Sequence, residues 1–162
     1  MHRDEFVSRY GGVYEDSSWV AAETFDGVAD PMDTGFLAKL FAEYVDNASR
    51  DRKLALIRAH PDLAGRAAVA GELTEESSEE QSSAGIDQCT PEEFARFQEL
   101  NECYKRKFEF PFVMAVRGSN RQDILAAFEE RLENDPQDEF ERAICEIHRI
   151  ARLRLETMRD HG

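Results

Sequence analysis

The 162-residue chain predicts an all-α fold, a single compact helical domain over 1–162 with one buried extended segment near residues 107–116. Three observations carry this expectation. Apolar residues recur at spacings of three and four along most of the chain, the period of a helix face rather than a strand. Capping signals punctuate that pattern, most clearly at Thr90-Pro91-Glu92-Glu93. A β-like run occurs once, at Lys107 to Val116, and there Pro111 removes a ladder donor, so the run reads as a buried connection and not a central strand.

Taken in order, Asp4 to Tyr10 forms a short helix stopped by Gly11-Gly12, and Ser17 to Glu23, with the lone Trp19, forms another. Asp33 or Thr34 opens a third, whose Phe36, Leu37, Leu40, Phe41, Tyr44 and Val45 are spaced as one apolar face. Ser49 caps a fourth, containing Leu54 and Ile57. That helix is expected to stop near Ala59, because His60 precedes Pro61 and a residue before proline is pushed out of the helical region. From Asp62 to Leu73 small residues and no clear period predict a compact loop with at most one short helix. Thr74 is the next N-cap, with acidic residues suited to a helix N-terminus behind it. The helix begun by Thr90 continues through Phe94, Phe97, Leu100, Asn101 and Tyr104. Ser119-Asn120-Arg121-Gln122 reads as another capping box, leading through Ile124, Leu125, Phe128 and Leu132. Asn134-Asp135-Pro136 breaks the chain, and the last helix runs from about Pro136 to about Met158.

Composition narrows the function. Eleven Phe and a 41% hydrophobic content argue against disorder. A net charge of −14 argues against nucleic acid and anionic membranes as partners, since both require basic patches. No stretch approaches the ~18 apolar residues of a membrane span, and no secretory apolar run opens the chain, so the cytoplasm is the expected location. Cys89, Cys103 and Cys145 are odd in number and widely spaced, which fits a reducing compartment; Cys103 and Cys145 fall in apolar helical patterns and are expected in the core. The four histidines form no metal-ligand spacing, and no phosphate or dinucleotide loop is present, so neither metal nor cofactor is expected.

Two stretches carry the chemistry. His60 can exchange a proton near neutral pH, and its place at a helix end beside Pro61 suits a pocket, although a lone histidine is more often a surface or capping residue. Asp62 either orients that imidazole or caps the next turn. In the acidic run from Glu72 to Glu80, Glu80 shares a helix face with Ser77 and Ala84, whereas Glu75, Glu76 and Glu79 fall toward the other side. Arg154 stands on the inward line Phe140, Ile144, Ile147, Ala151, Arg154, Met158. It is either a snorkelling or ion-paired residue, or a guanidinium turned into a cleft to hold an oxygen-bearing ligand. His148 lies on a neighbouring line and reads as a partly buried structural histidine.

These residues are also the ones by which the chain resembles the 2-oxo-4-hydroxy-4-carboxy-5-ureidoimidazoline (OHCU) decarboxylases. The likeness runs nearly the whole length: Tyr10-Gly11-Gly12-Val13-Tyr14-Glu15, Ser18-Trp19-Val20-Ala21, HPDLAG at 60–65, LTEESSEEQSSAGID at 73–87, the Asn101 to Phe112 stretch and the arginine of the final helix. Glu109 is a departure, standing where this pattern leads one to expect glycine. The resemblance implies a cofactor-free and metal-free enzyme, commonly a homodimer, that decarboxylates a small ureidoimidazoline to (S)-allantoin. It implies catalytic roles for His60 and Glu80. Substrate contacts are implied for Pro61, Ser77, Ser78, Glu79, Gln81 and Arg154, and for the backbone of Phe112, Val113, Met114, Ala115 and Val116. Two other readings compete: a non-catalytic acidic helical interaction module, and a lyase or hydrolase acting on a related ureide.

Overall fold

The computed structural model describes residues 1–63 and 73–161, and among these it contains eight α-helices, two short 3-10 turns and no strand. The helices are α1 (Arg3–Tyr10), α2 (Trp19–Thr24), α3 (Thr34–Asp46), α4 (Arg50–Arg58), α5 (Glu75–Ser83), α6 (Pro91–Phe108), α7 (Arg121–Arg131) and α8 (Pro136–His161). The all-α expectation holds. Most of the loop expected from Asp62 to Leu73, residues 64–72, lies outside the described residues. Two compact units are present, one built from residues 1–59 and 145–162, the other from residues 60–144.

Caps start the helices where the sequence asks. Asp33 accepts from the Phe36 amide at 3.0 Å, Ser49 from Arg52 at 3.2 Å and Thr74 from Ser77 at 3.2 Å, each satisfying an otherwise orphaned donor. Thr90 and Glu93 form the full reciprocal box at 3.1 and 3.0 Å. The second box is displaced by one residue from its expected position. Ser119 closes a turn onto the Val116 carbonyl at 3.0 Å, so the cap falls to Asn120, whose partner three residues on is Asp123.

In the first unit Phe6 is the centre of the aromatic packing, with ring centroids 5.0 Å from Tyr10, 5.3 Å from Phe25 and 6.3 Å from Phe41. The buried stripe of α3 is narrower than its apolar pattern: Leu37, Phe41 and Val45 are buried, Leu40 and Tyr44 are partly covered, and Phe36 is exposed. Cys145 was expected in the core and is exposed; it lines a groove beside Arg149 and Arg152 of α8. Cys103 is only partly covered. At the surface, Arg52 lies 3.8 Å from the Trp19 ring centroid and grips Glu23 with both Nη atoms, at 3.1 and 2.5 Å; Tyr44 donates to the same carboxylate.

In the second unit Tyr104 plays the central part. Its ring lies 4.6 Å from Phe108, 5.3 Å from Phe112 and 6.0 Å from Phe128, and Phe112 stacks on Phe128 at 3.8 Å. The extended segment is shorter than 107–116. Helix α6 runs through Phe108, and the non-helical stretch that follows is buried at Phe110, Phe112, Val113, Ala115 and Val116. Having no strand neighbour, it takes its support from side chains. Arg131 of α7 donates to the Val113 carbonyl at 2.7 Å and lies 4.3 Å from the Phe112 ring centroid. The same guanidinium pairs with the Glu139 carboxylate at 2.7–2.9 Å, both side chains being fully or nearly enclosed, and the Tyr104 hydroxyl and the Asn134 amide donate to that carboxylate too. Burial raises the Tyr104 pKa well above its ordinary value, so the hydroxyl keeps its proton and remains a donor.

Glu109 closes α6 in the left-handed region at φ 64°. That explains why glycine is expected there, since a side chain in this conformation costs energy that glycine avoids. Glu109→Gly is therefore expected to raise stability by about 1 kcal/mol, read as a shift in the urea midpoint at unchanged slope. Removing one partner of the buried pair acts in the opposite direction: Glu139→Ala should cost about 3–5 kcal/mol by leaving Arg131 enclosed without its carboxylate. A loss below about 1 kcal/mol in urea melts would show that this pair is not what fixes the segment.

Candidate functional site

Helix α4 ends at Arg58, with the Ala59 amide closing onto the Ala55 carbonyl at 3.0 Å. His60 follows outside the helix, as the proline after it requires, and is buried; Pro61 and Asp62 are partly covered. The Asp62 carboxylate is held by Lys105 of α6 at 2.6 Å, and the turn it was expected to cap lies outside the described residues. The backbone just beyond His60 is tethered twice more within this unit. Gln81 Nε2 donates to the Asp62 carbonyl at 3.4 Å, and Asn101 Nδ2 donates to the Leu63 carbonyl at 2.9 Å.

Helix α5 divides its residues as the spacing predicts. Ser77 and Gln81 are buried along with Ala84, and Glu80 beside them is partly covered; Glu75, Glu76, Ser78 and Glu79 are exposed. Among the four glutamates of this helix, Glu80 alone is withdrawn from full exposure. Ser83 and the Ala84 amide bond the Glu80 carbonyl, and Gly85 then turns at φ 79°. The Arg121 guanidinium donates to the Gly85 carbonyl and would lie 3.0 Å from a Cβ placed there, so a larger residue would be strained at this φ and would crowd the guanidinium. In this unit the structure therefore joins the His60 segment to α5 through Gln81 and to α6 through Asn101 and Lys105. It also fixes the 111–116 stretch, in which Met114 alone is not fully buried.

In the other unit Arg154 is buried on α8, as its place on the apolar line predicts. Its Nη2 pairs with the buried Glu15 carboxylate at 2.8 Å, and its Nη1 donates to the Gly12 carbonyl at 3.1 Å. The ion-paired reading is thus realised, with Glu15 as the partner that spacing alone could not name. His148 is partly buried, as expected, between the Tyr14 hydroxyl on Nδ1 and Asp46 on Nε2, each at 2.8 Å. Burial, reinforced by the Asp46 charge, pushes the Tyr14 pKa up and keeps that hydroxyl protonated. A groove of about 440 Å³ in the same unit is lined by Lys39, Cys145, His148, Arg149, Arg152 and the small residues of α3, and Arg154 is not among its lining residues.

Two residues escaped the sequence reading. Glu15 gave no period-based signal because it stands outside a helix. Asn101 did give one: it interrupts the buried line Phe97, Leu100, Tyr104, Phe108. Its Oδ1 is enclosed and has no hydrogen-bond partner among the described residues, an arrangement that costs about 1–3 kcal/mol and needs a reason. Among the described residues no group of three or more His, Cys, Asp or Glu side chains is placed to hold a metal, and no helix is long and apolar enough to cross a membrane.

Comparison with known proteins places this architecture. Residues 1–156 match the OHCU decarboxylase family. The 2-oxo-4-hydroxy-4-carboxy-5-ureidoimidazoline decarboxylase of Halalkalicoccus jeotgali is 42% identical over 156 residues, covering 96% of this chain and 86% of that protein. The crystal structure of an (S)-allantoin synthase aligns with a TM-score of 0.75 at 31% identity, over 97% of this chain and 50% of the other. That of an OHCU decarboxylase in the presence of (S)-allantoin aligns with a TM-score of 0.73 at 25% identity, over 91% and 95% of the two chains. With its helices, its buried histidine before proline and its inward arginine in this order, the chain belongs to the OHCU decarboxylase family.

Proposed function

We infer that this protein is a carboxy-lyase that decarboxylates 2-oxo-4-hydroxy-4-carboxy-5-ureidoimidazoline to (S)-allantoin in urate degradation. The observation that carries this reading is the family match over residues 1–156. The whole chain, 1–162, is proposed to act as one such domain.

The chemistry asks little beyond proton management. Breaking the C4–carboxylate bond releases carbon dioxide, the bonding pair forms a C4=C5 double bond, and the π pair of the adjacent C5=N bond, the electron sink, moves onto its nitrogen, which takes a proton from solvent. The C4 hydroxyl then gives up its proton to become a carbonyl, and C5 takes a proton on one face. We assign the two proton transfers to His60 and Glu80, a buried imidazole and a half-covered carboxylate. Positioned groups of this kind contribute about 10²–10⁴-fold each. Ser77 and Gln81, the buried polar residues of α5, are proposed to bind substrate oxygens. Pro61 is proposed to pack against the substrate ring. The backbone of Phe112, Val113, Met114, Ala115 and Val116 is proposed to pair with ring and ureido amides, carried over from the family likeness. Ser78 and Glu79, being exposed, are assigned to the rim of the site. Arg154 is proposed to add a charge-assisted contact to the substrate anion, carried over from the family likeness. No cofactor is needed for this route. A homodimer in the cytoplasm is proposed as the working form, the free thiols Cys89, Cys103 and Cys145 suiting a reducing compartment.

Freshly generated substrate, made from urate with uricase and hydroxyisourate hydrolase, tests the activity directly, with circular dichroism reporting the allantoin enantiomer. His60→Asn and Glu80→Gln should each lower turnover by about a hundredfold or more at unchanged helix content, while Glu76→Gln stays near wild type. Equal losses at Glu76 and Glu80 would mean that the acidic run acts through bulk charge. Allantoin formed no faster than in the uncatalysed control would reject the decarboxylase reading.

Arg154 needs a test that accounts for Glu15. Arg154→Met withdraws the guanidinium from a buried carboxylate and should cost about 3–5 kcal/mol of stability. Glu15→Leu combined with Arg154→Met removes the pair together and should recover most of that loss. If Arg154 also holds the substrate, this stable double variant binds it about tenfold or more weakly, the usual worth of one charge-assisted hydrogen bond. Wild-type KM in the double variant would limit Arg154 to pairing with Glu15.

A further inference from the structure

The two residues that follow Pro61 are held from two helices. Asp62 is gripped at both polar ends, its carboxylate by Lys105 at 2.6 Å and its carbonyl by Gln81 at 3.4 Å, and the Leu63 carbonyl takes the Asn101 amide at 2.9 Å. Lys105 lies one turn beyond Asn101 on α6, so both tethers issue from the same face of a helix already fixed at its start by a capping box. Pro61 has its φ locked by its ring, which leaves few free dihedrals between the tethered carbonyls and His60. Packing does not account for Asn101. It replaces an apolar residue in the line Phe97, Leu100, Tyr104, Phe108, and its described hydrogen bond leads to the Leu63 carbonyl, leaving Oδ1 enclosed and without a partner among the described residues. Stability does not account for Lys105 either, because its ammonium is about half exposed and such a pair contributes little to folding. Orientation accounts for both.

We propose that Asn101 and Lys105 are positioning residues that clamp the Asp62–Leu63 backbone and thereby hold the His60 imidazole in one orientation for proton transfer. The inference rests on the decarboxylase reading for its consequence in turnover, though the clamp itself is a property of the resting protein. A misplacement of about 1 Å in a catalytic group can cost on the order of a hundredfold in rate, so loosening the segment lowers kcat and leaves substrate binding nearly intact.

The test compares Asn101→Leu, Asn101→Ser and Lys105→Met in the full chain, with Ile124→Val as a core change outside the clamp. The first readout is kcat and KM on freshly generated substrate. The second needs no turnover: the His60 Cε1–Hε1 NMR resonance, identified by its loss in His60→Asn, is followed from about pH 5 to pH 9. Asn101→Leu should lower kcat by about tenfold to a hundredfold with KM within about twofold, and should shift or broaden the His60 resonance. Lys105→Met should act in the same direction by about threefold, and Ile124→Val should move neither readout. Should Asn101→Leu fail to fold, the smaller and polar Asn101→Ser supplies the same two readouts. An unmoved His60 resonance in the Asn101 variants overturns the clamp whatever happens to kcat, as does a change confined to KM. A wild-type protein without decarboxylase activity counts against the proposed function, while the resonance still decides the clamp.

Discussion

An extended segment with no strand beside it must satisfy its backbone by other means, and in this protein the Arg131–Glu139 pair does so at the Val113 carbonyl. A guanidinium can bridge a carbonyl and a carboxylate at once because its donors are fixed in a plane, and Arg131 uses this to join Val113 to Glu139 while lying against Phe112. Burying two charges is costly unless each is also hydrogen-bonded. The carboxylate meets that condition through Tyr104 and Asn134. Tyr104 in turn is the ring around which Phe108, Phe112 and Phe128 pack. Polar satisfaction and aromatic packing therefore meet on one residue, and the conformation of 111–116 is specified by both.

Much of this could be read from the sequence because helices write their period and their caps into it. The faces of α3 and α6, the box at Thr90 and the exit of the chain at His60 follow from spacing and from the stereochemistry of Pro61. The division of α5 into a covered side with Ser77, Glu80 and Gln81 and an exposed side with Glu76 and Glu79 follows from the same period. Periodicity fails where a position lies at the edge of a face. Phe36 and Cys145 fit apolar patterns yet are exposed, since a pattern does not say how wide a stripe the neighbouring helices cover. Capping fails by one residue at Asn120, because the turn made by Ser119 depends on backbone geometry and the adjacent Asn is an equally good cap.

Partners across long sequence separations were beyond such reading. That Arg154 lies inward is legible from its line on α8; that Glu15 awaits it is not, for nothing local to Glu15 distinguishes it from other carboxylates in so acidic a chain. The same holds for Lys105 with Asp62 and for Asn101 with Leu63. A polar residue interrupting an apolar line is the transferable signal. It marks Arg154 and Asn101 alike, and in both cases the structure shows a side chain committed to a backbone carbonyl of a distant segment.

The division of the chain has a consequence for how the protein is made. Residues 60–144 form a continuous unit, whereas the other is stitched from the two ends of the chain. A ribosome adding about 5–20 residues per second delivers the N-terminal part many seconds before the stretch that completes it. Throughout that interval Tyr14 lacks His148 and Glu15 lacks Arg154, so polar groups destined for burial must remain hydrated and the apolar faces beside them cannot close. The order of synthesis therefore leaves the N-terminal helices as the segment most in need of protection before release, and translation must run past Arg154 before that unit can close.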